Sequence, residues 1–72
     1  MARIGIGVVE AGSDSWETSI TTAQDYKDFT KGAADAMADD PTITAMYIMP
    51  AKLDEYGFAV QVEGDPMWSK LR

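Results

Sequence analysis

Residues 42–62 read TITAMYIMPAKLDEYGFAVQV, and how this stretch folds decides the architecture. Two apolar runs flank a polar, turn-prone middle. In the second run, Phe58, Val60 and Val62 alternate with Ala59, Gln61 and Glu63, which is the period of a half-buried strand. The first run carries Ile43, Thr44, Tyr47 and Ile48, β-branched and aromatic residues that favour a strand. Strict alternation puts Ile43, Ala45, Tyr47 and Met49 on one face and Thr44, Met46 and Ile48 on the other. Both faces are largely apolar, so this strand is expected to be covered on both sides. Pro50 cannot donate to a ladder and is expected to close the strand or lie on its edge. The segment Asp54, Glu55, Tyr56, Gly57 supplies the reversal. The pair is therefore expected to be antiparallel.

Working back from this stretch, residues 24–39 form the expected helix. Tyr26, Phe29, Ala33, Ala36 and Met37 recur at steps of three and four and make one apolar stripe. Thr22 is the expected N-cap, with Asp25 three residues on. Gly32 weakens the helix interior by about 1 kcal/mol relative to alanine and marks a close contact or a kink. Asp39, Asp40 and Pro41 end it.

Residues 3–9, RIGIGVV, read as the first strand. Gly5 and Gly7 mark a close approach, by a bulky side chain such as Tyr47 or by a ligand or partner. Residues 10–22 read as a polar connector in which Trp16 and Ile20, four apart, form one helical turn over a sheet edge. At the other end, Asp65 and Pro66 resemble an N-cap followed by proline. Met67, Trp68 and Leu71 then suit a short helix or arm docked on the sheet or on a neighbour.

The expectation is thus a single α+β domain over residues 1–72, ordered strand, helix, strand, strand. One main helix packs on a three-stranded sheet, with Ile4, Ile6, Phe58, Val60 and Val62 in the core beneath it. A right-handed crossover would set the first strand parallel to one of the others.

Composition narrows the function. Twelve acidic and six basic residues give a formal charge of -6, which disfavours nucleic acid and anionic membranes and suits a basic protein partner. The chain has no histidine and no cysteine, so no disulfide, no His-based zinc site and no Ser-His or Cys-His pair is available. Gly5-Ile6-Gly7 lacks the third glycine of a dinucleotide fingerprint. The acidic pairs Asp39-Asp40 and Asp54-Glu55 lack the ligand spacing of a calcium loop. No cofactor and no metal site are expected. No secretory signal is evident, which makes the cytoplasm the expected location. The segment Gly12-Ser13-Asp14-Ser15-Trp16-Glu17 resembles the start of dodecins, small flavin-binding proteins with a strand-helix-strand-strand chain. The likeness covers six residues and the element order. The glycine-to-tryptophan interval is shorter here and the long third strand is missing, so no flavin site is carried over.

Seventy-two residues bury too little surface for comfortable stability alone. A homo-oligomer is therefore expected, through a sheet face exposing Met46 and Ile48. The leading functional expectation is a non-catalytic acidic interaction protein: a small regulator, an inhibitor or an accessory subunit of a larger assembly. The alternatives are a homo-oligomeric binder of a small or aromatic ligand, and a small cofactor-free enzyme of ferredoxin-like type. No catalytic residue is assigned. The expected ligand or partner contacts are Gly5, Gly7, Trp16, Met46, Tyr47, Ile48, Met67 and Trp68.

Overall fold

The computed structural model describes residues 4–72, so Arg3, expected to open the first strand, lies outside the described residues. Six elements follow in order: β1 (Gly5–Ala11), β2 (Asp14–Ile20), α1 (Ala23–Asp39), β3 (Ile43–Leu53), β4 (Ala59–Gln61) and β5 (Trp68–Leu71). The domain is α+β with one helix, as expected, but the sheet is not three-stranded. Its strands run β2-β1-β3-β4, with β5 also on β3, and curl into a half-barrel.

The first departure is β2. Residues 10–22 are not a connector with a helical turn; most of them form a second strand antiparallel to β1. Gly12 and Ser13 are the two loop residues between the paired Ala11 and Asp14. Gly12 has φ +60 and, among the described residues, no non-glycine residue has positive φ. A positive φ at the first loop position alone is the type II′ turn, whose twist matches that of the flanking strands. Trp16 and Ile20 do share a face, because a spacing of four is even and keeps one side of a strand. This extra reversal also changes the chain direction, so β1 and β3 are antiparallel, not parallel as a simple crossover would make them.

The helix matches its expected bounds to within a residue. Thr22 caps it, its Oγ1 accepting from the Asp25 backbone N–H at 2.9 Å. The Thr22 side chain also hydrogen-bonds the Asp25 carboxyl, and this is the main cause holding that carboxyl below its ordinary pKa. Ala33 and Met37 are buried, and Phe29 and Ala36 pack beside them against Val9, Ala11, Ile43 and Met46. Gly32 faces open space and the helix runs through it unbroken, so it marks no close contact.

The faces of β3 differ from strict alternation, for an identifiable reason. Glu10 pairs with Ala45 but Ala11 pairs with Ile43, leaving Thr44 as a bulge. One extra residue reverses the phase of every side chain beyond it. Ile43 therefore joins Met46 and Ile48 on the helix side, with Ala45, Tyr47 and Met49 on the other. Met46 and Ile48 are buried, Ile48 completely, and the expected second layer over them is the chain's own helix. Ile6 is buried as expected but on the face opposite Gly7, away from the helix. Phe58 and Val60, expected in the core, are exposed.

Pro50 does not close β3, which runs on to Leu53. Its carbonyl accepts from Val62 N at 3.0 Å, and the Ile48 carbonyl accepts from Met67 N at 2.8 Å. The missing N–H of Pro50 therefore faces the edge held by β4 and β5. There the returning chain leaves the ladder: β4 pairs residues 51–53, β5 pairs residues 45–48, and residues 62–67 loop out between them. Residues 68–71 are accordingly a strand, not a helix, and they dock on the chain's own sheet. The reversal at residues 54–57 is where it was expected. Asp54 Oδ1 accepts from Tyr56 N and Phe58 N, both at 2.9 Å.

Arg72 fastens this last strand to the helix. Its guanidinium donates to the carbonyls of Met37, Asp40 and Ile43, the last at 2.7 Å, so it bonds a carbonyl of the last helical turn, the C-cap and the first residue of β3 together. Asp40 Oδ1 accepts from the Thr42 hydroxyl at 2.6 Å and the Thr42 N–H at 3.0 Å. Those bonds, with a smaller contribution from the Arg72 charge, hold the Asp40 carboxyl below its ordinary value.

Candidate functional site

Two surfaces have features that packing alone does not account for. The first is an open cavity of about 340 Å³ on the sheet face away from the helix. Val8, Tyr47 and Met49 form its floor, Glu10 and Glu17 one side, and Gln61 and Pro66 the other. The pairings place these residues together: Val8 lies between Glu17 on β2 and Tyr47 on β3, and Glu10 stands two residues along on the same face. The looped-out residues 62–67 supply Pro66. A second cavity, of about 330 Å³, lies between β2 and the start of the helix, with Asp25, Asp28 and Phe29 in its lining. Its carboxylates already serve the first helical turns. Asp25 accepts from the Thr21 hydroxyl at 3.4 Å, and Asp28 from the Gln24 amide at 2.7 Å.

The second surface is the outer edge of β2. Only Ile20 of its seven residues is buried, and its outer side has no partner strand among the described residues. Trp16 is 49% exposed on this strand. The opposite edge of the sheet is guarded by short strands, the looped-out residues and Lys70, devices that discourage edge pairing. The β3–β4 hairpin is also apolar at its end: Tyr56 and Phe58 are 77% and 70% exposed, with Leu53 and Val60 half-exposed.

The expected contact residues do not form one site. Tyr47 lines the first cavity and Trp16 lies on the β2 edge, on opposite faces of the sheet. Gly5 and Gly7 are buried and do mark close approaches by side chains, though not by Tyr47. A methyl group on Gly7 would meet Phe29, and one on Gly5 would meet Ile48 and Met67. Trp68 packs edge-on against Phe29, ring centroids 6.0 Å apart. Met46 and Ile48 are core residues under the helix, and Met67 is partly exposed over Gly5. Glu10, Glu17, Met49 and Gln61 were not singled out from the sequence. The signal for the two glutamates was Gly12-Ser13: once read as a two-residue hairpin turn, it places Glu17 opposite Val8 by counting outward.

Among the described residues no group of three or more acidic side chains could hold a metal ion, no polar side chain is buried, and no helix is long and apolar enough to cross a membrane. Residues 12–17, which resemble the start of dodecins, form a hairpin turn and an added strand ahead of the helix, so the element order differs from that family's. Comparison of the chain with protein-family models, curated proteins and solved structures finds no match.

Proposed function

We propose that the chain is a non-catalytic interaction protein, a small regulator or accessory subunit, that takes a partner strand along the outer edge of β2. The observation that carries this is the edge itself: a seven-residue strand with a half-exposed tryptophan and, among the described residues, no strand on its outer side, in a sheet whose other edge is guarded. Strand addition obtains affinity from main-chain hydrogen bonds and specificity from neighbouring side chains. Asp14 and Glu17 on this strand disfavour a partner that sets a carboxylate directly opposite either of them.

Glu17→Pro tests the reading. The two-residue turn makes Ala11 and Asp14 a hydrogen-bonded pair, so Glu17 belongs to a pair whose N–H points away from β1. Proline there removes an outward donor and leaves the β1 ladder whole. Native mass spectrometry of the protein from its own cells should find it bound to a partner chain, and Glu17→Pro should release that partner without loss of fold. A complex that survives Glu17→Pro would exclude the β2 edge.

A second reading, a small-molecule binder, draws on the first cavity. About 340 Å³ lies within the range of small-ligand sites. Its apolar floor and two carboxylates suit an aromatic amine. Phenethylamine should then produce saturable shifts in the amide spectrum of Val8, Tyr47 and Gln61, weakened at least about tenfold in Glu10→Gln/Glu17→Gln. Equal binding of phenylacetate would exclude this reading.

A further inference from the structure

We infer that the strand received by β2 is the β2 of a second copy, paired antiparallel about a twofold axis through Trp16; this rests on the edge-pairing reading above. The register follows from which backbone groups are free. Because Ala11 and Asp14 close a two-residue turn, Asp14, Trp16, Thr18 and Ile20 direct their N–H and C=O toward β1. Ser15, Glu17 and Ser19 direct theirs outward. The same alternation, carried across β1, predicts that Ile48 and Pro50 present their carbonyls to the far edge of β3, where Met67 N and Val62 N bond them.

A twofold axis perpendicular to a continuous sheet sets residues of the same face opposite each other, so the axis passes through residue 16, 17 or 18. Centring on Glu17 sets Glu17 against its own copy, a like-charge pair that is destabilising. Centring on Thr18 sets Trp16 against Ile20, which is already 2% exposed and has little surface left to cover. Centring on Trp16 avoids both. Ser15 and the second copy's Glu17 then exchange backbone hydrogen bonds, as do Glu17 and the second copy's Ser15. Asp14 lies opposite Thr18. The two indoles become a close, non-hydrogen-bonded pair, the position where aromatic pairs contribute most across strands. Glu17 thereby acts against the register centred on itself.

A second copy fits this edge better than an open series of strands. The contact is isologous and uses one edge from each chain, and the other edge is guarded, so assembly stops at two. The second copy's Ser15 would also come to stand beside Glu17 at the rim of the first cavity. The two Glu17 carboxylates become diagonal neighbours, roughly 7–8 Å apart between backbones, and exposed charges at that range repel less as salt rises. Dimerisation is therefore expected to tighten with ionic strength.

Cysteine scanning tests the register, because the chain has no cysteine of its own. A disulfide requires Cα atoms closer than about 7 Å. Under mild oxidation an equimolar mixture of Asp14→Cys and Thr18→Cys chains, both keeping Trp16 and Glu17, should give a mixed covalent dimer on a non-reducing gel, while either variant alone should not. Light scattering of the unmodified chain should give twice the chain mass at micromolar concentration, with dissociation favoured at low salt. Self-cross-linking of Thr18→Cys, or cross-linking in a mixture of Ser15→Cys and Ser19→Cys chains, would overturn the register. A monomeric chain whose Asp14→Cys and Thr18→Cys mixture does not cross-link would overturn the second copy. If native mass spectrometry instead finds a different protein, released by Glu17→Pro, edge pairing stands and the second copy falls.

Discussion

A methyl group on Gly7 would sit 2.6 Å from Phe29 Cε2 and 3.0 Å from two further atoms of that ring. The ring cannot simply swing away, because Trp68 packs edge-on against it. Glycine is needed at this position for space rather than for backbone freedom. Gly7→Ala should destabilise the fold by about 1–3 kcal/mol, the usual cost of overpacking. Phe29→Ala should cost less than the roughly 3–5 kcal/mol of a fully buried phenylalanine, because Phe29 is only partly buried. The two changes should not add. With the ring gone, the alanine methyl has room, so Gly7→Ala should be nearly neutral in the Phe29→Ala background. Urea denaturation of the four proteins measures this, and an additive cycle would separate Gly7 from Phe29. The sequence marked Gly7 as a close approach but could not name the approaching residue, since Phe29 lies across a sheet-helix contact that depends on the whole fold.

At the scale of elements, the end of α1 is held by the last strand. Arg72 donates to three carbonyls around the helix C-terminus, and its own backbone N–H bonds Thr44 O beside the bulge at 3.0 Å. Arg72→Ala should cost about 1.5–3 kcal/mol, the range for hydrogen bonds to a charged group. Arg72→Lys should recover only part of this, because an ammonium cannot reproduce the planar fork. Thermal unfolding by circular dichroism compares the three, and full recovery by lysine would reduce the role of Arg72 to its charge. The elements that sequence reading recovered are those with a strong local pattern. The helix carries its stripe and its Thr22 cap, and Asp54 through Gly57 carry turn chemistry. The elements it missed depend on partners. β2 is polar because it is an edge strand with one solvent-facing side, so it has little apolar alternation to detect. β5 was masked by Asp65-Pro66, a helix-start signal that here belongs to the residues looped out opposite Pro50. The bulge at Thr44 had no sequence signature, and it brought Ile43 to the helix side; the transfer of Met46 and Ile48 to the core came from the helix packing on the sheet face that carries Gly7 and Val9.

For the whole molecule, that transfer changes what a charge at position 46 would do. Met46 packs with Val9, Ala33 and Met37 beneath the helix, so Met46→Lys would place an unpaired ammonium inside the monomer. The expected outcome is loss of the cooperative unfolding transition, whatever the oligomeric state. A folded variant with an unchanged urea midpoint would place Met46 outside the core. The topology also bears on how fast the chain reaches this state. β1 sits in the middle of the sheet, yet it pairs Gly5 with Pro50 and Ala11 with Ile43, residues far apart along the chain. The β1–β2 hairpin, closed by two residues, can form within microseconds. The central β1–β3 ladder must wait for distant segments to meet, and high contact order slows that search. During the wait the hairpin displays Val9 and Trp16 with no helix above them, so the refolding yield should fall as protein concentration rises.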